Sequence, residues 1–291
     1  MELLDDPLPP GVERLLGKLA GGHVGPAEAA PRMPPQYPAT ARRLEWFRRA
    51  AHLCPECELT VDAKSVRARI TRPQLCFIYL PLCEWMLDEP VPEDARRLIL
   101  GVTGGPGSGK SIFCALLERV VAAVGPEPPP VVRISLDGWH RPNRWLAECG
   151  LEDDKGLLET FDTRSFLAAL RRLRTEDSLR LPRYDRNLHD PVEGAIGVDP
   201  HHRAALVEGN FLLRSRGPWR HIAPLLDLSV FLSRPLEEVR PRIVGRHVRG
   251  GRSPENARHH FEKVDLPNYH RCLQTAPRAD HILHLRHDDG R

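Results

Sequence analysis

One run constrains this chain more than any other: Leu98-Ile-Leu-Gly-Val-Thr-Gly-Gly-Pro-Gly-Ser-Gly-Lys-Ser111, an apolar stretch that gives way to glycines and closes on Lys110 and Ser111. The first residues read as a buried strand. After the loop, Ile112-Phe-Cys-Ala-Leu-Leu-Glu-Arg-Val-Val121 repeats its apolar residues at helical spacing. Strand, glycine turn and helix in that order make a βα unit whose turn lies at the carboxyl end of the strand. Side-chain-free Gly104, Gly105, Gly107 and Gly109 let consecutive backbone N–H groups turn inward around a phosphate. With Pro106 and Ser108 between them, and Lys110, Ser111 and Ile112 opening the helix, the segment is predicted to hold a nucleoside triphosphate. Lys110 suits the β and γ oxygens, Ser111 suits Mg²⁺, and the helix N-terminus faces the anion. The expected cofactors are ATP and Mg²⁺.

At 291 residues the chain is long enough for one large α/β domain, alone or with an appendage. A net charge of +3 with mixed signs and no long basic block argues against nucleic acid as the main partner. No apolar run reaches about 18 residues, so no membrane span is predicted. Met1-Glu-Leu-Leu-Asp-Asp is not a basic-then-apolar leader, and the expected location is cytoplasmic. Seven cysteines, an odd number, fit reduced thiols better than a disulfide framework. Cys54 and Cys57 have the spacing of half a zinc site, but Cys76 and Cys83 do not supply a second close pair, so ordinary thiols are expected. The pairs His201-His202 and His259-His260 read as solvated surface residues.

Along the chain, residues 1–95 read as a helical N-terminal extension. It comprises a short helix around Val12–Leu19, an irregular arm to residue 40, and helices over Ala41–Leu53 and Pro73–Leu87. Residues 96–291 read as the main domain. Strands are predicted at Arg97–Thr103, Val131–Leu136, Ala204–Glu208, Leu228–Leu232 and His281–Leu285. Helices are predicted at Gly109–Val124, Arg164–Arg174, Leu236–Val248 and Pro254–Thr275. Short apolar strands alternating with amphipathic helices specify an α/β fold with a mostly parallel sheet covered on both faces. Ligands then belong at the carboxyl ends of the strands.

Two carboxylates fall at that rim. Asp137 ends the strand Val131–Leu136, where it can orient an acceptor hydroxyl and take its proton. Glu208 ends Ala204–Glu208, where it can hold Mg²⁺ or its waters. A third constellation, Arg246, Arg249 and Arg252, spans a segment around 246–254 between two helices and can close over a triphosphate as a lid. Each also has a structural reading: a turn residue, a surface glutamate, a solvated helix end.

At these residues the chain resembles the family of phosphate-loop kinases that contains uridine kinase, phosphoribulokinase and type I pantothenate kinase. Asp137-Gly-Trp-His-Arg-Pro-Asn143, Leu146, Gly150-Leu151, Lys155-Gly156 and Glu159-Thr-Phe-Asp162 resemble pantothenate kinase, as does Ile78-Tyr-Leu-Pro-Leu82. Tyr184-Asp-Arg186, Asp190-Pro-Val-Glu-Gly-Ala-Ile196, Val207-Glu-Gly-Asn-Phe211, Pro218-Trp219 and Asp265-Leu-Pro-Asn268 are closer to the bacterial fructose-transport-system and nucleoside or nucleotide kinases. The resemblance implies a P-loop NTPase fold and direct phosphoryl transfer. It makes Asp137 the acceptor-activating residue, Lys110 and Ser111 the phosphate and magnesium residues, Glu208 the strand-end acid, and Arg246 or Arg249 the lid arginine. It also places Asn268 on the substrate side. The chain departs from pantothenate kinase at Tyr184-Asp-Arg186, where that enzyme has Tyr-Ser-His, and at Ile243, which takes the place of its lid tyrosine.

The expected function is an ATP- and Mg²⁺-dependent kinase acting on a hydroxyl of a small metabolite: a sugar, a nucleoside or a pantothenate-like alcohol. Asp137, His140, Tyr184, Arg186 and Asn268 form its substrate wall, and a second copy of the chain is a candidate partner. The competing class is a nucleotide-switched regulatory ATPase, which needs no carboxylate aimed at an acceptor. A GTP switch is disfavoured because no Asn-Lys-x-Asp motif is present.

Overall fold

The computed structural model describes residues 41–61 and 64–285; the helix expected around Val12–Leu19 lies outside them. In chain order, helix α1 (Ala41–Ala50) precedes a hairpin of β1 (Glu56–Val61) and β2 (Lys64–Arg69). A second helix starts at Arg72–Gln74, passes through a π turn at Leu75–Tyr79 and continues as α2 (Leu80–Asp88). Then come β3 (Leu98–Thr103), α3 (Lys110–Val124), β4 (Val131–Ser135), α4 (Asn143–Cys149) and α5 (Thr163–Thr175). The hairpin β5 (Leu179–Asp185) and β6 (Asp190–Val198) follows, with β7 (Ala204–Gly209) and β8 (Leu228–Ser233) after it. Helix α6 (Leu236–Arg249) leads to α7 (Pro254–His260), a π turn at Phe261–Asp265, α8 (Leu266–Leu273) and β9 (His281–His284). The five strands predicted from sequence are those of the central sheet, and the expected helix Pro254–Thr275 is α7, the π turn and α8.

The sheet runs β4-β7-β3-β8-β9, and every pairing in it is parallel. Because side chains alternate along a strand, β3 supplies both cores. Leu98, Leu100 and Val102 join α3 and the extension on one face, whereas Ile99 joins α5 on the other. Trp46, Phe47, Tyr79, Leu80 and Met86 of the extension are buried in the same cluster as Phe113, Leu117 and Val121 of α3, so the extension shares the core of the sheet's first face. The extension also carries the β1–β2 hairpin, an element sequence periodicity did not indicate. Cys54 and Cys57 sit at its start as free, half-buried thiols and belong to no metal-competent cluster among the described residues. His260 corrects the expectation for its pair, since it is buried between α6 and the following π turn. Among the described residues no helix is long and apolar enough to cross a membrane.

Arg97 ties the end of the sheet opposite the glycine loop. Its side chain is buried and its guanidinium donates to the carbonyls of Leu173 (3.1 Å), Glu176 (2.6 Å), Asp177 and Asp199 (3.1 Å). One cation thus satisfies carbonyls in the last turn of α5, just after it and after β6, holding these segments next to the start of β3. Each buried acceptor left without a donor costs about 1–3 kcal/mol. Arg97→Ala is therefore expected to lower unfolding free energy by about 3 kcal/mol or more. Urea denaturation followed by circular dichroism measures it, and a loss under ~1 kcal/mol, the size of a surface change, would contradict the assignment.

Candidate active site

The parallel order places the ends of β3, β4, β7 and β8 along one rim. Glu208 pairs in register with Val102 of β3 and Ser135 of β4, so the strand-end acid lies between the glycine loop and Asp137. Its carboxylate accepts a hydrogen bond from the Ser111 hydroxyl at 2.8 Å. Two oxygen donors fixed side by side, one of them a buried carboxyl group, match the hard-ligand preference of Mg²⁺. The Lys110 ammonium donates to the carbonyls of Gly104 and Gly105, both at 3.0 Å, which folds it back along the loop. Burial pulls its pKa below the ordinary lysine value. Gly109 caps α3 in a left-handed conformation, φ 97°, that L side chains adopt at a cost.

Asp137 lies in the turn Leu136–Trp139 after β4, with its backbone N–H taken by the Ser135 hydroxyl at 3.3 Å. The β5–β6 hairpin seats directly on this turn. A Cβ at Gly138 would stand 2.6 Å from the Pro182 carbonyl, so glycine is what permits the contact. The hairpin brings Arg186 to 3.7 Å from one Asp137 oxygen, while His140 Nε2 is 3.9 Å from the other. Burial alone would push the Asp137 carboxyl up, but His140, Arg186, Lys110 and Arg246 act in the opposite sense and the net shift is downward. His140 stacks on Phe161 with centroids 4.1 Å apart and packs against Tyr184 at 5.4 Å. Burial pulls its pKa down to about 4; Asp137 opposes this, and Lys155 and Arg186 add to it. At neutral pH the site therefore presents an ionised Asp137 beside a neutral imidazole.

The remaining sequence-designated residues divide. Arg246 faces this field, with its guanidinium 3.9 Å from the buried Asp265 carboxylate. Arg249 is exposed beside Gly245, and Arg252 is exposed near His260; neither contributes to the charge balance around Asp137. Asn268 is buried, donating to the Gly156 carbonyl at 2.8 Å and accepting from Arg271 at 3.1 Å, so its amide ties the Gly156 segment to the start of α8. Ile243 packs on the loop, where a Cβ at Gly107 would meet it at 2.8 Å. Sequence reasoning missed Lys155 as part of the wall. Its ammonium donates to Asn143 (2.6 Å) and His189 (2.5 Å) and lies 5.2 Å from the Tyr184 ring centroid. The run Lys155-Gly156 was visible in the sequence, but its partners are long-range.

No family model matches the chain. It is 31% identical over 234 residues to "Uncharacterized protein YggC" of Escherichia coli, covering 80% of this chain and 97% of that protein. It is 31% identical over 185 residues to a "putative uridine kinase" of Schizosaccharomyces pombe, covering 60% of this chain and 77% of the relative. The crystal structure of a "putative fructose transport system kinase" from Silicibacter sp. TM1040 matches 69% of this chain and 97% of its own, at 30% identity and a TM-score of 0.62.

The depressed His140 pKa has a sign that can be tested. Between pH 6.5, the ordinary histidine value, and about 4, the unfolded chain binds a proton that the folded state refuses, so stability falls as pH drops through that window. His260, also pulled down to about 4 by burial first and Arg252 second, contributes in the same direction. His140→Gln is expected to flatten the dependence in part. Urea midpoints at pH 7 and pH 4.5 measure it, and an equal drop in variant and parent would count against a buried neutral His140.

Proposed function

We propose that this chain, which belongs to the phosphate-loop kinase family that includes uridine kinase-like and pantothenate kinases, transfers the γ-phosphoryl group of ATP to a hydroxyl of a small metabolite. The observation that carries this reading is Asp137: an ionised carboxylate on the same rim as Lys110, ringed by Arg186, His140 and Arg246. A nucleotide switch or regulatory ATPase, the competing class, has no use for a carboxylate facing an acceptor wall.

In this reading the acceptor hydroxyl donates its hydrogen bond to Asp137, which orients the oxygen and takes the proton as the oxygen attacks the γ-phosphorus. The new P–O bond forms as the bond from the γ-phosphorus to the β,γ-bridging oxygen breaks, and ADP leaves with that electron pair. Lys110 and Arg246 offset charge spreading over the transferred group. Ser111 and Glu208 are the residues that would hold Mg²⁺, whose chemistry is to neutralise β and γ oxygens. Backbone N–H groups from Gly104 to Ile112 would hold the phosphates, with Pro106 and Ser108 shaping the turn. Arg249 and Arg252 are assigned to a lid over 246–254 that moves when the triphosphate binds.

His140, Tyr184, Arg186 and Asn268 are assigned to the acceptor side, Asn268 through its hold on Gly156. The acceptor class is a sugar, nucleoside or pantothenate-like alcohol. Arg186, where pantothenate kinase has histidine, favours one carrying a phosphate or carboxylate.

Lys110→Ala is expected to abolish turnover with little loss of fold, since its partners are loop carbonyls. Asp137→Asn is expected to lower acceptor-dependent transfer by roughly 10²–10⁴-fold. The measurement is ADP release with and without a panel of sugars, nucleosides and pantothenate. Hydrolysis that ignores every metabolite and persists unchanged in Asp137→Asn would overturn the kinase reading in favour of the regulatory ATPase.

A further inference from the structure

A groove of about 800 Å³ opens beside the acceptor wall, and Phe161, the ring that stacks on His140, forms part of its lining. Its size falls within the range of small-molecule sites. Neither Asp137 nor any residue of the glycine loop lines it. Four arginines from three separate segments do: Arg141 after the Asp137 turn, Arg164 in the first turn of α5, and Arg214 and Arg216 in the loop after β7.

Two carboxylates, Glu159 and Asp162, share the lining. Asp162 is committed: one oxygen accepts from Arg141 at 3.0 Å, and the other caps α5 by accepting from the Ser165 N–H at 3.1 Å. Among the described residues, Arg164, Arg214 and Arg216 form no ion pair with a carboxylate. Guanidiniums gathered at one concavity repel one another, and a multiply charged anion relieves that repulsion while matching their planar forks. Phe161 and Trp219 add an aromatic floor for a carbon skeleton. The field of Arg214 also reaches inward. Burial pushes the Cys272 thiol up to about 12, while Lys110, Arg271 and Arg214 act to lower it.

We propose that this groove is a second small-molecule site, separate from the transfer centre, and that it binds a phosphorylated metabolite through Arg164, Arg214 and Arg216. Phe161 then links its occupancy to the His140 side of the acceptor wall.

The test uses the full chain carrying Lys110→Ala, which weakens competition for phosphate by the glycine loop and leaves the arginine variants to separate the two sites. Ribose 5-phosphate, inorganic phosphate and citrate are titrated in by calorimetry, with ³¹P resonance as a second readout. One-to-one binding of the phosphate ester is expected, weakened roughly tenfold or more by Arg214→Gln with Arg216→Gln. Arg164→Gln, at an exposed position, is expected to weaken it too without disturbing the fold, and Asp137→Asn to leave it unchanged. Affinity that survives all three arginine substitutions would overturn the site. So would loss in Asp137→Asn, which would put the ligand on the acceptor wall, and citrate binding as tightly as the ester would overturn the phosphate class. Because binding is read on an inactive protein, failure of the kinase reading leaves this result intact.

Discussion

How closely the glycine loop can be approached governs the whole carboxyl edge of the sheet. A Cβ at Gly104 would stand 2.5 Å from the Leu232 carbonyl, one at Gly107 2.8 Å from Ile243, and one at Gly105 2.9 Å from Tyr269. Those contacts come from β8, α6 and α8 in turn, so three elements more than 100 residues beyond the loop in sequence rest on one turn. Gly104 and Gly107 also have φ values of 150° and 73°, which L residues reach only under strain. The glycines therefore answer two demands at once: inward-facing N–H groups and a surface thin enough for the second half of the domain to dock. The sheet order β4-β7-β3-β8-β9 makes this possible by putting β8 directly beside β3.

A second constraint is electrostatic. Asp137 and Glu208 are acids on one rim, and an ionised buried carboxylate is costly unless cations face it. The fold supplies His140 from the same turn, Arg186 from the hairpin turn, Lys110 from α3 and Arg246 from α6, and together they outweigh desolvation and shift the half-buried Asp137 carboxyl down. Ionisation of the acceptor-side acid is thus a property of assembly. His140 is local to the turn, but Arg186, Lys110 and Arg246 come from other elements, and moving the hairpin or α6 away would weaken it.

What the sequence showed follows the range of the interactions. The strands of the sheet, the glycine loop, Asp137 and Glu208 were legible because local pattern fixes each of them: apolar runs, glycine spacing, an acid at a strand end. The β5–β6 hairpin was not, because Pro182 and Gly194 interrupt its alternation and its register shifts between Leu181 and Arg183. The β1–β2 hairpin was hidden similarly, with cysteine and charge breaking its apolar pattern. Arg97 looked like the first residue of a strand, and its role as a four-carbonyl clamp depends on partners about 76 to 102 positions away. Resemblance alone assigns Asn268 to the substrate side; what the fold shows is its amide held by Gly156 and Arg271.

That last contact joins two halves of the site. Asp265 and Asn268 lie three positions apart where the π turn passes into α8, on adjacent turns of one helical segment. Asp265 accepts from His247 at 2.8 Å and lies 3.9 Å from Arg246, gripping the donor-side helix α6. Asn268 grips Gly156, next to Lys155, which in turn holds the loop at Asn143 and His189 on the acceptor side. Tyr269, one residue on, covers Gly105 and donates to the Arg234 carbonyl at 3.0 Å. A short stretch of one helix therefore touches α6, the glycine loop and the Gly156 segment together. In the function proposed above, a displacement of α6 that carried Arg246 toward a triphosphate would either break the Asp265 contacts or be transmitted through them to Gly156. On that proposed reading, closure over the donor and the position of the acceptor wall are coupled through this one helical segment.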